Sequence, residues 1–198
     1  LLVGSNIDLI IKAPVEKHAI IDFFSSNIDR YLVRDCKLPV WFVKLSPQIG
    51  EHKMLACLNI EKTSSENQLL NKNILQISEQ LQAEFNTECD VLDCFYGEPA
   101  TMDLSFDSHK GFKKMPCIQE QHQSRVTEVL RECCKKSHNI HISEGLPEDQ
   151  IPLKAHSLHA DLAIIGNAKE DTFFSRLVGD TTQILSDTIP CDVLVVKP

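Results

Sequence analysis

The sequence predicts an α/β fold in which a parallel sheet is covered by helices on both faces. Residues 162–165 form an apolar run that ends at Gly166, and residues 193–196 form a second apolar run near the C-terminus. Between the two runs lie a polar loop and a helix-period segment at about 174–186, so the order is strand, turn, helix, strand. Strand-like and helix-like segments also alternate upstream, which is typical of parallel sheets with helices on both faces.

The composition limits the class of protein and its partners. The 198 residues are enough for one full domain and part of another, and 42% apolar content is ordinary for a globular protein. The net charge of −8 argues against nucleic-acid and membrane partners, and no apolar run approaches the roughly 18 residues of a membrane span. No signal peptide is recognisable, and because the chain begins at Leu1 within an apolar segment, we expect an N-terminally truncated chain.

The eight cysteines bear on the compartment of the protein. They do not have the dense pattern of a disulfide scaffold in a small secreted domain. Free cysteines behave as small hydrophobes, so we expect reduced core thiols and a cytoplasmic protein. Five cysteines lie in or beside apolar runs: Cys36, Cys57, Cys89, Cys94 and Cys191.

An internal repeat divides the chain. Asp8 and the apolar run after it match Asp161 and the run after it, at an offset of 153 positions without a gap. An offset of this size indicates a repeated domain rather than a short solenoid repeat. We predict that residues 1–45 are the C-terminal part of a first domain and that residues 46–198 are a complete second copy.

The last strand of each copy is predicted to lie at a sheet edge. These strands run from Pro39 to Val43 and from Val193 to Val196, and Val40 matches Val193 at the same offset. An apolar edge strand invites pairing with another strand. We predict that the two strands pair antiparallel, so that the partner of the second domain is the chain's own first domain or a second copy.

The remaining elements follow from apolar runs and helical periodicity. Ser64 or Ser65 is expected to cap the first long helix, and Gln68 completes a capping box with Ser65. Residues 97–116 have no clear period, and a connection of this length is usually functional or mobile. The predicted strands are 8–13, 39–43, 54–60, 90–96 and 139–143, and the predicted helices are 27–34, about 65–85, 117–136 and a short one through Ala155 and Leu158.

Five segments of the second copy together resemble the universal stress protein family. The resemblance covers the whole chain and, with two copies, corresponds to the tandem subgroup. It implies a five-stranded parallel sheet in the order 3-2-1-4-5, in an adenine-nucleotide alpha-hydrolase-like fold. It also implies a cytoplasmic stress-response protein that associates through its fifth strand, and many members bind ATP. The segments are KMLACLNI at 53–60, EGLPEDQI at 144–151, ADLAIIGN at 160–167, LVGDTTQIL at 177–185 and IPCDVLVVKP at 189–198.

The family's ATP-binding pattern is a glycine, two residues, a second glycine, nine residues, a third glycine and then serine or threonine. Gly166 and Gly179 match the first and third glycines, whereas Lys169 occupies the second position. Asp180 stands in place of the hydroxyl residue, and Thr181 offers a hydroxyl one position later. A glycine lets main-chain amides approach phosphate oxygens, so Lys169 blocks that approach, although its ammonium could itself pair with a phosphate. The charge of Asp180 repels phosphate unless a cation lies between them.

The resemblance also places an acidic residue at the end of the first strand, where this chain has Asn59. An asparagine hydrogen-bonds a hydroxyl but supplies no charge for a metal ion. Usual ATP binding, a different or weakly held nucleotide-like ligand, and no nucleotide at all are therefore three open interpretations. We expect a non-catalytic sensor or interaction module with a degenerate nucleotide cleft between Asn59 and the loop at 166–181. The alternative is a member that binds ATP and hydrolyses it slowly.

No catalytic or metal site is predicted. The spacing yields no Ser-His-Asp, Cys-His or paired-carboxylate arrangement, so we expect no enzymatic activity. His138 and His141 lie near Cys133 and Cys134, which makes a zinc site one interpretation. Side chains three residues apart at the start of a strand diverge, however, so solvated loop histidines and no metal are the expectation.

Overall fold

The computed structural model describes residues 7–13, 27–44, 53–96, 117–167 and 189–198. These residues form helices packed on a seven-stranded sheet, which confirms the predicted fold class. The connection at 97–116 and the predicted helix at about 174–186 lie outside the described residues. The elements are β1 (Ile10–Lys12), α1 (Asn27–Arg34), β2 (Val40–Phe42), β3 (Lys53–Leu58), α2 (Ser65–Phe85), β4 (Glu88–Phe95), α3 (Ile118–Cys133), β5 (Ile140–Glu144), α4 (Pro147–Leu158), β6 (Leu162–Gly166) and β7 (Asp192–Val196).

The strand order is β1-β2-β7-β6-β3-β4-β5. The five strands from β3 onward pair in parallel, and numbered by themselves they have the predicted order 3-2-1-4-5. Alternate residues of the central strand β3 face opposite sides of the sheet. Leu55 and Cys57 pack in a core with residues of α1 and α4, whereas Met54 and Ala56 pack with residues of α2 and α3.

β2 lies antiparallel beside β7, with Val40 opposite Val195. This is the strand pairing that the sequence predicts. Asp192 reinforces it through both carboxylate oxygens. Its Oδ2 accepts a hydrogen bond from the Trp41 indole N–H at 3.0 Å, and its Oδ1 accepts one from the main-chain N–H of Lys44 at 2.7 Å.

The start of α2 differs in one detail from the prediction. Ser64 is the cap, and its Oγ accepts a hydrogen bond from the main-chain N–H of Asn67 at 3.3 Å. Gln68 instead donates its side-chain amide to the carbonyl of Thr63 at 3.2 Å. The predicted capping box of Ser65 and Gln68 is wrong, because Ser65 is already the first helical residue.

The cysteines are free thiols. The five that the sequence places in the core are buried or, for Cys94, half-buried. Burial raises the pKa of Cys89, Cys94 and Cys191 to about 12, so these thiols are protonated at neutral pH.

Lys197, which follows β7, connects the end of that strand to α1. Only 8% of it is exposed, and its Nζ donates to the carbonyl of Val33, which also accepts a hydrogen bond from the Asn167 side chain. Burial lowers the pKa of Lys197 to about 8, against the opposing influence of Cys36 and Asp35. The charged form of Lys197 therefore opposes folding.

We expect Lys197→Met to change how stability depends on pH. Between the folded pKa of about 8 and the ordinary value of 10.5, the unfolded chain holds a proton that folded Lys197 has released. The contribution of Lys197 to stability therefore rises with pH in this window, and the variant lacks it. Urea unfolding at several pH values should show the native chain gaining stability relative to the variant from pH 8 to 10.5.

The buried thiols titrate in both chains and cancel in this comparison. Lys37→Met, at an exposed lysine, is the matched control. The difference in stability between the native chain and Lys37→Met should stay constant across the same pH range. A constant difference between the native chain and Lys197→Met would contradict the lowered pKa.

Candidate functional site

A cleft of about 270 Å³ lies where β3, β4 and β6 end, beside the start of α4. In parallel sheets, ligands bind beyond the carboxyl ends of the strands where the strand order reverses, which here is between β3 and β6. Two of the predicted site residues, Asn59 and Gly166, line this cleft together. The others lie outside the described residues: Lys169, Gly179, Asp180 and Thr181.

An asparagine network closes the end of β3. The carbonyl of Asn59 accepts hydrogen bonds from the side-chain amides of Asn67 at 2.6 Å and Asn71 at 2.9 Å. The main-chain N–H of Asn59 donates to Asn71 Oδ1 at 3.1 Å. The side-chain Oδ1 of Asn59 accepts a hydrogen bond from the main-chain N–H of Lys62 at 3.3 Å. Asn59 is therefore held by α2 and by its own turn, and Asn67 Oδ1 is left buried without a hydrogen-bond partner.

Gly166 is required by the packing of α2 on β6. A Cβ atom at this position would lie 2.6 Å from Leu70 Cδ2, closer than real Cβ atoms approach, and 3.1 Å from Ile74 Cδ1, which is a tight contact. The glycine therefore serves the contact between helix and sheet. The side chains of Leu70 and Ile74 fill the space beside Gly166.

The charges around the cleft are mixed. Among the described lining residues, the ionisable ones at neutral pH are Glu61, Lys62 and Glu148. Burial raises the pKa of the Cys57 and Cys94 thiols, so both line the cleft as neutral groups. Two carboxylates against one lysine make this part of the cleft unfavourable for a triphosphate.

A buried acid–histidine pair lies next to the cleft, and the sequence analysis missed it. Asp93 Oδ2 is 2.6 Å from His122 Nδ1, and Asp93 Oδ1 accepts from the N–H of Ile60 at 3.1 Å. Burial raises the pKa of Asp93, while the bonds from His122 and Ile60 oppose that rise. A carboxylate in the middle of an apolar strand was the signal that could have identified the pair.

The two histidines near β5 are half-buried and hydrogen-bonded within the chain, which corrects the expectation of solvated loop histidines. His138 Nδ1 lies 2.9 Å from the carbonyl of Cys89, and its Nε2 is buried without a hydrogen-bond partner. His141 Nε2 lies 2.8 Å from Asp90 Oδ2. The two side chains diverge, as their spacing on a strand predicts.

Gly166→Ala should lower the free energy of unfolding by about 1–3 kcal/mol, because the new Cβ overlaps the Leu70 side chain. Leu70→Ala removes the overlapping atoms, so the same glycine substitution should cost little in that background. A double-mutant cycle measured by urea unfolding tests this coupling. An equal cost in both backgrounds would mean that the packing contact is not the reason for the glycine.

Comparisons with known proteins agree with this fold. Universal stress protein E of Salmonella typhi is 25% identical over 198 residues, which cover 100% of this chain and 62% of that protein. Universal stress protein E of Escherichia coli K12 is 23% identical over 198 residues, covering 100% and 63% of the two proteins. The chain therefore spans a little under two thirds of the length of these curated relatives.

Solved structures share the architecture. A functionally unknown protein from Pseudomonas aeruginosa PAO1 has a TM-score of 0.70 at 23% identity, over 96% of this chain and 63% of the other. A universal stress protein from Archaeoglobus fulgidus has a TM-score of 0.61 at 16% identity, over 97% and 61%. At these identities the likeness concerns the fold alone.

The helices among the described residues are all too short or too polar to cross a membrane. The model of the universal stress protein family matches residues 72–197, which is well over half of the chain. The protein belongs to the universal stress protein family.

Proposed function

We propose that this chain is a non-catalytic stress-response sensor or interaction module whose cleft does not bind ATP in the usual way. One observation carries the proposal: α2 lines the end of the cleft where a nucleotide would meet the sheet, and its side chains already contact the groups there. Asn67 and Asn71 hold the main chain of Asn59, and Leu70 fills the space beside Gly166.

The chemistry of the remaining positions supports the same proposal. Asn59 carries no charge for a metal ion that would accompany a triphosphate. Lys169 and Asp180 replace a phosphate-approaching glycine and a hydroxyl in the family pattern. The carboxylates of Glu61 and Glu148 add negative charge to the described lining.

The proposal that the protein is not an enzyme rests on the burial and the hydrogen bonding of the acid–histidine pair near the cleft. Asp93 and His122 resemble an acid–base pair, but both are buried and their facing atoms bond to each other. A general acid or base must reach a proton of the substrate within hydrogen-bond distance. Among the described residues, this pair is therefore better suited to holding β4 against α3.

Isothermal titration with ATP and magnesium tests the proposal. We expect no heat of binding up to millimolar ATP. The triple variant Asn59→Asp, Lys169→Gly, Asp180→Ser restores the family pattern and should gain affinity, which shows that the assay detects binding in this fold. Micromolar affinity of the unaltered chain, abolished by Gly179→Val, would overturn the proposal and support the alternative of an ATP-binding member that hydrolyses ATP slowly.

A second candidate is a cleft for a small neutral ligand that carries hydrogen-bond donors, such as a nucleoside. Asn67 favours it, because this residue lines the cleft and its buried Oδ1 has no hydrogen-bond partner. Buried acceptors are costly when left unpaired, and a ligand hydroxyl or amino group would supply the missing bond. Titration with adenosine under the same conditions separates this candidate from ATP binding.

We also propose that the fifth-strand partner is the chain's own first domain rather than a second copy. The outer edge of β7 is already paired with β2, so its ladder hydrogen bonds are made within the chain. The free thiols support placing this module in the reducing cytoplasm, because unpaired cysteines are typical of that compartment.

Asp192→Ala should weaken this junction. It removes the acceptor of the Trp41 indole N–H and of the Lys44 main-chain N–H, so we expect a loss of about 1 kcal/mol and a change in tryptophan emission. Trp41 is the only tryptophan, which makes its fluorescence a local probe of the junction. Asp192→Asn keeps one acceptor oxygen and should have a smaller effect. Unchanged emission and stability in Asp192→Ala would count against the role of Asp192 in joining β2 and β7.

A further inference from the structure

We propose that Glu79, Cys134 and His138 form a Zn²⁺-binding site at the end of the sheet opposite the cleft. Each residue offers one ligand atom, and these three atoms lie within 4.8 Å of one another. All three residues are half-buried. The site lies where β4 and β5 begin, whereas the cleft lies where β3, β4 and β6 end, so it is independent of the proposed function.

His138 has the form that a metal ligand requires. The carbonyl of Cys89 can only accept a hydrogen bond, so the Nδ1 atom 2.9 Å away carries the proton. The lone pair is therefore on Nε2, which is buried and has no hydrogen-bond partner. Metal-binding histidines are commonly oriented by such a bond from the other ring nitrogen to a carbonyl. An unpaired buried Nε2 is otherwise costly.

The other two ligands are held in place by main-chain hydrogen bonds. Glu79 Oε1 accepts from the N–H groups of Lys135 at 2.5 Å and Lys136 at 3.3 Å, which ties the carboxylate to the segment after Cys134. Cys134 adopts an extended conformation, and its N–H closes α3 by donating to the carbonyl of Leu130 at 2.8 Å. The predicted helix to residue 136 therefore ends early, which brings the thiol beside α2.

The donor set matches zinc. Zinc binds sulfur at about 2.3 Å and nitrogen or oxygen at about 2.0–2.2 Å in a tetrahedron, which places its ligand atoms about 3.3–3.7 Å apart. Ligand atoms already within 4.8 Å need to move together by only about 1 Å. One thiolate and one carboxylate balance the charge of the dication, and a water molecule would complete the tetrahedron. Mg²⁺ and Ca²⁺ prefer oxygen ligands alone.

A redox role for the thiol fits the surroundings less well. Burial first, and then Glu79 and Cys133, raise the pKa of Cys134 to about 11. A protonated thiol is a poor nucleophile, so the surroundings do not activate Cys134 by themselves. A bound dication would replace the thiol proton, which is released to solvent as the metal–sulfur bond forms.

The sequence offered a different set of ligands. It paired the two histidines with Cys133 and Cys134, whereas the structure directs His141 to Asp90 and brings Glu79 from α2 into the cluster. Zinc bound there would join α2, the end of α3 and the segment that precedes β5. The expected effect is a gain in stability from a metal that binds the folded chain.

Metal titration on the reduced protein tests the proposal. Competition with a chromophoric zinc chelator should show one Zn²⁺ per chain, and Co²⁺ in its place should show a thiolate-to-cobalt charge-transfer band. Cys134→Ser should abolish the band, and both it and His138→Ala should weaken zinc binding by at least about tenfold, the scale on which metal sites respond to lost ligand-shell interactions.

Two matched controls separate this site from adventitious binding. Cys133→Ser makes the same substitution at the neighbouring thiol, and His156→Ala removes an exposed histidine whose ring lies 6.4 Å from that of His159. Both variants should keep the affinity of the native chain. Equal losses in Cys133→Ser and Cys134→Ser, or a loss in His156→Ala, would overturn the assignment.

Thermal unfolding provides a readout that does not depend on the chelator. Zinc should raise the melting temperature of the native chain and of Cys133→Ser but not of Cys134→Ser, whose circular dichroism without metal serves as the check on folding. Absence of stoichiometric binding, or an equal zinc-dependent rise in Cys134→Ser, would overturn the proposal.

Discussion

The close approach of α2 to β6 is the constraint on which the cleft depends. Because Gly166 has no side chain, Leu70 and Ile74 lie directly against it. That contact brings Asn67 and Asn71, which lie four residues apart on the helix, to the end of β3. The packing that buries apolar surface therefore also directs two amides to the main chain at the ligand-binding end of the sheet. The shape and the polarity of the cleft therefore both depend on the glycine at position 166.

The same helix, α2, contributes residues at both ends of the sheet. α2 has 21 residues and is therefore about 30 Å long, comparable to the width of a small domain. Its first turns supply Asn67 and Asn71 at the cleft, and its later turns supply Glu79 beside Cys134 and His138. A single rigid element thus contributes amides at one end and a carboxylate at the other.

Much of the fold could be predicted from the sequence, because it follows from local pattern. Apolar runs located the strands, and the repeat of Val40 at Val193 located the edge pairing. The polar contacts could not be predicted in this way, since they join residues distant in the chain. Asp93 meets His122 across 29 positions, and Glu79 reaches the segment after Cys134 only because α2 and α3 pack side by side. Of the nucleotide motif, the described residues test only the part around Asn59 and Gly166.

The shared ladder between β2 and β7 also bears on how the protein unfolds. One continuous sheet from β1 to β5 carries main-chain hydrogen bonds between the segment at 7–44 and the strands from β3 onward. Loss of the pairing at β2 would expose the edge of β7, and the core that packs on β7 includes residues distant in the chain, such as Val33 and Cys191. Because this core is shared, we expect local opening of β2 and of β7 to be coupled.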